Sequence, residues 1–144
     1  MWSRKKLTEL NPIEFYQILK LRIDIFVVEQ ERIYHELDEK DLEAVHVYHA
    51  NEKGEIDAYA RIFEEGEHLV FGRVVTARSV RGQGLGGQLI SEILQLCAEK
   101  WPGKEIEIEA QKQVAALYEK YGFKAVGQPF IFESTPHITM IYKQ

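Results

Sequence analysis

The 144-residue sequence has one cysteine, four prolines and no apolar run approaching the roughly 20 residues that a membrane-spanning helix needs. Cys97 has no second cysteine for an internal disulfide and no companions at metal-ligand spacing, so no metal centre is expected. Basic residues are also short. Eighteen Lys and Arg stand against 23 Asp and Glu, a net charge of −5. That balance argues against nucleic acid as a partner, because neutralising phosphates takes a basic surface. No internal repeat, low-complexity tract or Pro/Gly/Ser linker divides the chain, and one domain over residues 1–144 is expected. The opening "MWSRKKLTELNP" has basic residues without an apolar stretch or a small-residue cleavage site behind them. It does not read as a secretory signal, so a soluble cytoplasmic protein with no membrane partner is expected.

What is present is unevenly placed. The segment "EQERIYHELDEKDLE" carries Glu29, Glu31, Glu36, Asp38, Glu39, Asp41 and Glu43 against only Arg32 and Lys40. Such a run is expected to be a solvated loop, with a surface that attracts a cationic acceptor as the functional alternative. Before it, Asn11, Pro12 and Glu14 have the order of a helix start with a capping box. Phe15, Leu19, Ile23, Phe26 and Val27 then follow at spacings of three and four, which predicts a helix to about Val28 burying that stripe.

After the acidic run, "AVHVYHA" and "IDAYARIFE" alternate around the turn "NEKGE", and "HLVFGRVVTA" follows a second glycine-containing turn, predicting three sequential antiparallel strands. Leu85, Leu89, Ile93, Leu96, Cys97 and Trp101 keep helical spacing until Pro102 and Gly103 stop it. "EIEIEA" reads as a short strand, "VAALYEKYGF" as a short helix, and "FKAVGQPFIFE" and "HITMIYK" as two closing strands, with "KKLTEL" as a weak first strand. The expected class is a mixed α+β fold, with a mostly antiparallel sheet of about seven strands and about four helices.

The densest signal is "VTARSVRGQGLGGQLI", with Gly82, Gly84, Gly86 and Gly87 directly after Arg81 and directly before a helix. Unpaired N–H groups at a helix start suit a phosphate or diphosphate, glycines let it come close, and arginine offers a matching fork of donors. A P-loop is ruled out, since Gln88 and Leu89 stand where Lys and Ser/Thr are needed. Gly82, Gly84 and Gly87 also spell the dinucleotide pattern G-x-G-x-x-G. Too little chain follows for the further βαβ crossovers of such a fold, which leaves a nicotinamide-dependent oxidoreductase as a distant alternative.

Read as R-x-x-G-x-G, residues Arg81, Gly84 and Gly86 resemble the pyrophosphate loop of the GNAT superfamily, acyltransferases that use acyl-coenzyme A. "AALYEKYGF", Ala115 to Phe123, is similar to that superfamily's second signature, a short helix bearing a tyrosine before a glycine–aromatic pair. From Leu21 to Met140, "LRIDIFVVEQ", "AYARI", "GRVV", "RGQGLG", "LYEKYGF" and "PHITM" resemble the ElaA-like proteins. Arg78 stands where many members have proline.

The resemblance implies a GNAT-like fold in which the strand "FGRVVTA" parts from "EIEIEA". The gap would hold the pantetheine arm of acetyl-CoA against the main chain of Val74, Val75 and Thr76. The loop of Arg81, Gly82, Gln83, Gly84, Leu85, Gly86 and Gly87 would hold the diphosphate. Tyr118 corresponds to the usual proton donor to the departing thiolate. Glu109, Glu29 and His137 are candidates for the base that neutralises an amine acceptor. Arg22, Arg61 and Arg73 are expected first as partners of carboxylates and second as acceptor contacts. The implied reaction is N-acetyl transfer by direct attack in a ternary complex, the alternative being a catalytically silent coenzyme A-binding domain. Members of the superfamily often pair through terminal strands, so a homodimer is open.

Overall fold

Asn11 starts the first helix with the capping box its sequence contains: its side chain accepts from the Glu14 N–H at 2.8 Å, while the Glu14 carboxylate accepts from the Asn11 N–H at 2.9 Å. In the computed structural model, which describes residues 1–132 and 134–144, helix α1 spans Pro12–Arg22 and continues without a break as a π-helix, Ile23–Glu29. The buried face is not the expected one. Ile18, Leu21, Arg22 and Ile25 are buried, Phe15, Leu19, Phe26 and Val27 are half-buried, and Ile23 is exposed. Apolar residues surround this helix, so spacing admits two faces. The face that wins is the one on which buried carboxylates satisfy Arg22.

The first strand also lies earlier than expected. β1 is Trp2–Lys6, and Leu7–Glu9 form a 3₁₀ turn. After the short α2 (Lys40–Glu43), strands β2 (Val45–Ala50), β3 (Ile56–Glu65) and β4 (His68–Thr76) form an antiparallel meander. Helix α3 (Leu85–Lys100) leads to β5 (Ile106–Gln111), and α4 (Ala115–Glu119) leads to β6 (Lys124–Phe132) and β7 (Thr135–Tyr142). The expected end of β6 at Glu133 lies outside the described residues. His137 is inside β7, not ahead of it. All strands join one seven-stranded sheet, in the order β1-β2-β3-β4-β5-β7-β6. β4 and β5 form its parallel pair.

Alternation assigns each strand's side chains to two faces. Val45, Val47, Ala60, Ile62, Ile106, Ile108, Ala110 and Met140 join Leu89, Ile90 and Ile93 of α3 in one core. Tyr48, Ile56, Tyr59 and Val75 meet Ile18, Leu21 and Ile25 on the other face. Because both faces of β3 are covered, Ile56 to Phe63 are buried without interruption. Among the described residues no helix is long and apolar enough to cross a membrane.

The acidic segment is not a solvated loop, as its composition suggested. Glu36 and Asp41 are buried and take Arg22 at 2.5 and 2.7 Å, and Arg22 itself is wholly buried. Asp38 takes Arg61 at 2.5 Å, Asp41 takes it at 3.1 Å, and Glu36 takes Arg73 at 2.8 Å. Three arginines from α1, β3 and β4 are thus neutralised by three carboxylates of the loop and short helix between Glu36 and Asp41. His46 and Tyr59 back this network. The Tyr59 hydroxyl lies 2.6 Å from His46 Nδ1, and His46 Nε2 lies 3.0 Å from the Asp41 carbonyl. A carbonyl only accepts, so Nε2 carries the proton and Nδ1 accepts from Tyr59. Burial pushes the His46 pKa down, keeping the ring neutral.

Candidate active site

Gly72 weakens β4 at its middle, and the next residue, Arg73, adopts a left-handed φ of 53°. The register jumps there: Gly72 faces Arg61 and Val75 faces Tyr59, so Arg73 and Val74 share one position of β3 as a bulge. The Arg73 side chain holds the bend by its ion pair with Glu36 and by donating to the Glu36 carbonyl at 3.1 Å. Beyond the bend the parallel pair opens. β4 and β5 share the single register pair Leu69–Ile106, with Leu69 N–H donating to Glu105 at 2.8 Å, while β5 stays zipped to β7 through Gln111–His137.

The exposed edge of β4 therefore has main-chain groups without a strand partner. Ala77 N–H donates to the Asp57 carbonyl at 2.8 Å, on the β3 side. Alternation back along the strand turns the main chain of Val75 toward β3, and that of Val74 and Thr76 into the gap.

At the end of β4, residues Arg78–Val80 make a 3₁₀ turn and α3 begins at Leu85. Gly84 offers no capping side chain, and the first bond of the helix runs from Gln88 N–H to the Gly84 carbonyl at 3.2 Å. No described residue accepts from the N–H groups of Leu85, Gly86 and Gly87. Three of the four glycines have reasons internal to the chain. Gly82 and Gly84 have φ of 83° and 80°, and a Cβ on Gly87 would run into the Tyr121 hydroxyl. Gly86 has neither reason: its φ is outside the left-handed region and a Cβ there would point into open space. A helical glycine that packing does not require fits a cradle kept clear for a diphosphate. Gly86→Ala should therefore raise stability by about 0.5–1 kcal/mol. The bulkier Gly86→Val should keep the fold and weaken coenzyme A binding about tenfold or more by titration calorimetry. Unchanged affinity in the valine variant would remove Gly86 from the cradle.

Tyr118 lies on the α3 side of the sheet, buried between Phe71 and Phe123 with ring centroids at 5.9 and 5.7 Å. Its hydroxyl makes no hydrogen bond to a described residue, yet it is not sealed from solvent. Burial pushes its pKa up to about 12, so the phenol holds its proton at neutral pH.

Glu109 and His137 lie on the opposite face. Ile106, Ile108 and Ala110 point to the α3 core, so Glu107, Glu109 and Gln111 point the other way. In register, Glu109 faces Thr139 and Gln111 faces His137, which makes Glu109 and His137 diagonal neighbours about 7–8 Å apart at Cα. Glu109 is exposed and has no ion pair or side-chain hydrogen bond to a described residue. His137 Nδ1 lies 2.7 Å from the Thr135 carbonyl and so bears a proton, while the ring packs against Phe130 and Phe132 with centroids at 6.1 and 5.5 Å. Beside this patch is a cavity of about 640 Å³, walled by Gln30 to Ile33, Gln111, Gln113, Ser134 and Thr135.

Glu29, the third base candidate, is elsewhere. It closes the π-helix and bridges Arg78 at 2.7 Å and Arg81 at 2.8 Å, beside the glycine cradle. The Arg81 hydrogen bonds, then those of Arg78, hold its pKa below the usual carboxylate range. A carboxylate clamped by two guanidinium groups is a poor proton acceptor. Arg22 and Arg61 belong to the buried network and are not among the residues that wall this cavity. Sequence reasoning missed Gln111, Gln113 and Thr135 as cavity residues, and missed the partner of Arg78. For the bulge there was a signal, a glycine inside a strand pattern at Gly72.

A parallel pair that parts beside a glycine cradle, with a buried tyrosine on one face of the gap and a polar cavity on the other, is an acyltransferase architecture. The Acetyltransferase (GNAT) domain model matches residues 22–144. Protein ElaA of Escherichia coli (strain K12) is 34% identical over 143 residues, spanning 96% of this chain and 94% of its own. The crystal structure of Escherichia coli ElaA has a TM-score of 0.93 at 33% identity, covering 99% of this chain and 98% of that one. An acyl-CoA N-acyltransferase from Pseudomonas aeruginosa has a TM-score of 0.93 at 35% identity, with 99% and 98% covered. An aminoglycoside 6′-N-acetyltransferase complexed with coenzyme A shares the fold at a TM-score of 0.71 and 15% identity, with 98% and 96% covered. The chain belongs to the GNAT acetyltransferase family and is an acyltransferase.

Proposed function

We propose that this chain, working as one domain, moves an acetyl group from acetyl-CoA to a primary amine by direct attack in a ternary complex. The observation that carries this reading is the gap opening after Leu69–Ile106, with Tyr118 on one side and the Glu109–His137 patch on the other. Bound in the gap, acetyl-CoA would supply a thioester whose carbonyl carbon is electrophilic and whose leaving group is a thiolate. The main chain of Val74 and Thr76 pairs with the pantetheine amides, and the Val74 N–H polarises the thioester oxygen. The amides of Leu85 to Gly87 and the Arg81 guanidinium take the diphosphate. Glu109, acting directly or through water with His137 Nε2, removes the proton of an amine held in the 640 Å³ cavity. Tyr118 gives its proton to the departing sulfur from the far side.

A covalent route through this chain's own thiol is disfavoured. Cys97 is wholly buried in α3 and burial pushes its pKa up to about 12, where almost no thiolate exists at neutral pH. Free thiol measured with acetyl-CoA and a panel of primary amines tests the reading. Amine-dependent release with intersecting double-reciprocal lines is expected. A folded protein that binds no coenzyme A would overturn it, as would parallel lines for the direct step.

A further inference from the structure

Glu29 pairs with Arg81, the cation expected to meet the diphosphate, and with Arg78, three residues before it. Both of its oxygens are engaged: Oε1 accepts from Arg78 Nε at 2.9 Å and Oε2 accepts from Arg81 Nη2 at 2.8 Å, with a further contact from Arg81 Nη1 to Oε1 at 3.2 Å. A two-oxygen anion gripped by planar forks is the arrangement guanidinium groups give a phosphoryl group. The three side chains come from two places distant in sequence, Glu29 from the end of the π-helix, and Arg78 and Arg81 from the 3₁₀ turn after β4 and its cap. Their sequence separations of 49 and 52 residues exclude a local accident of one turn.

The chain that leaves Glu29 is the wall of the amine cavity. Gln30, Glu31, Arg32 and Ile33 line it, and Glu31 has a left-handed φ of 53°. This corner is tied back to the π-helix by Gln30 N–H to the Ile25 carbonyl at 3.1 Å, and Arg32 N–H to that of Val27 at 3.1 Å. One carboxylate thus joins the cofactor loop to the acceptor wall.

We propose that Glu29 is an internal stand-in for the diphosphate: it holds Arg78 and Arg81 until the cofactor displaces it, and its release loosens the Gln30–Ile33 wall for the acceptor. This rests on the acetyl-CoA reading above and adds an order of binding, cofactor before amine. Displacement costs the two exposed Glu29 pairs, so the cofactor binds more weakly than the same cradle without that carboxylate would allow. Arg78, which by the resemblance stands where many members of the superfamily have proline, doubles the clamp in this chain.

The test is a coenzyme A titration of the wild-type chain and of Glu29→Gln, with amide hydrogen exchange followed at residues 30–33. Two exposed pairs correspond to a tightening of about three- to tenfold in Glu29→Gln, shrinking as salt is added. Exchange at residues 30–33 should rise when coenzyme A is added to the wild type, and should already be raised in the free variant. Wild-type binding with equal or weaker affinity in Glu29→Gln overturns the proposal, because Glu29 would then be orienting the arginines for the ligand. Tighter binding without the exchange change overturns its second half. If the folded wild type binds no coenzyme A, the cofactor reading fails first and this one with it.

Discussion

Tyr118→Phe should lower the turnover number by about 10²- to 10⁴-fold while melting temperature and coenzyme A affinity stay at wild-type values. The separation of these effects follows from the environment of the phenol. Its ring fills a slot between Phe71 and Phe123, which phenylalanine fills equally. Its hydroxyl bonds to no described residue, so deleting the oxygen leaves no orphaned partner behind and costs no packing. What is lost is a proton donor that burial, raising the pKa to about 12, keeps loaded throughout the neutral range. The loss should appear in the chemical step, so kcat falls and KM for the amine holds. Steady-state kinetics on the variant, alongside a melting curve, check this. Turnover within twofold of wild type would return Tyr118 to the role of a core aromatic.

The parts of the fold that were legible were those in which each local signal had one meaning. The β2–β3–β4 meander follows from alternation between glycine turns, and α3 from a stripe that ends at Pro102. The cradle was legible because glycine and arginine were clustered where a strand meets a helix. What the sequence concealed depends on pairing at a distance. Glu36, Asp38 and Asp41 look like solvated charge until α1, β3 and β4 bring Arg22, Arg61 and Arg73 to them. The same network reverses the reading of α1, since a face containing arginine is not scored as a buried one. It also neutralises Glu36, Asp38 and Asp41, acids that would have drawn a cationic acceptor; among the described residues, Glu31 and Glu109 are carboxylates near the cavity and its walls. Glu29 was read as a base because its residue type and position allow it, and only the fold shows two arginines on it.

Arg22→Met should be the most destabilising single change in the chain, about 3–5 kcal/mol in urea denaturation at neutral pH. The side chain is wholly buried and makes ion pairs with Glu36 and Asp41, a hydrogen bond to the Glu36 carbonyl at 2.8 Å, and a contact with Tyr59 at 3.4 Å. Burial opposes its charge, but the hydrogen bond to Asp41, the neighbouring Tyr59, and the charge and hydrogen bond of Glu36 prevail and raise its pKa. Methionine fills much of the space and leaves two buried carboxylates with less than their due of positive charge. Arg61 and Arg73 remain for them, yet both are already committed to Asp38, Asp41 and Glu36, and Arg61 Nε has no partner among the described residues. Against a typical total of about 5–15 kcal/mol this is a large fraction. Adding Asp41→Asn to Arg22→Met should recover part of the loss, because it removes one of the stranded charges. Lys20→Met, which breaks the exposed Lys20–Asp24 pair on the same helix, should leave the midpoint unchanged. A loss for Arg22→Met no larger than that of Lys20→Met would mean the network is open to water, and that the bend at Arg73 is held by something other than the acidic loop.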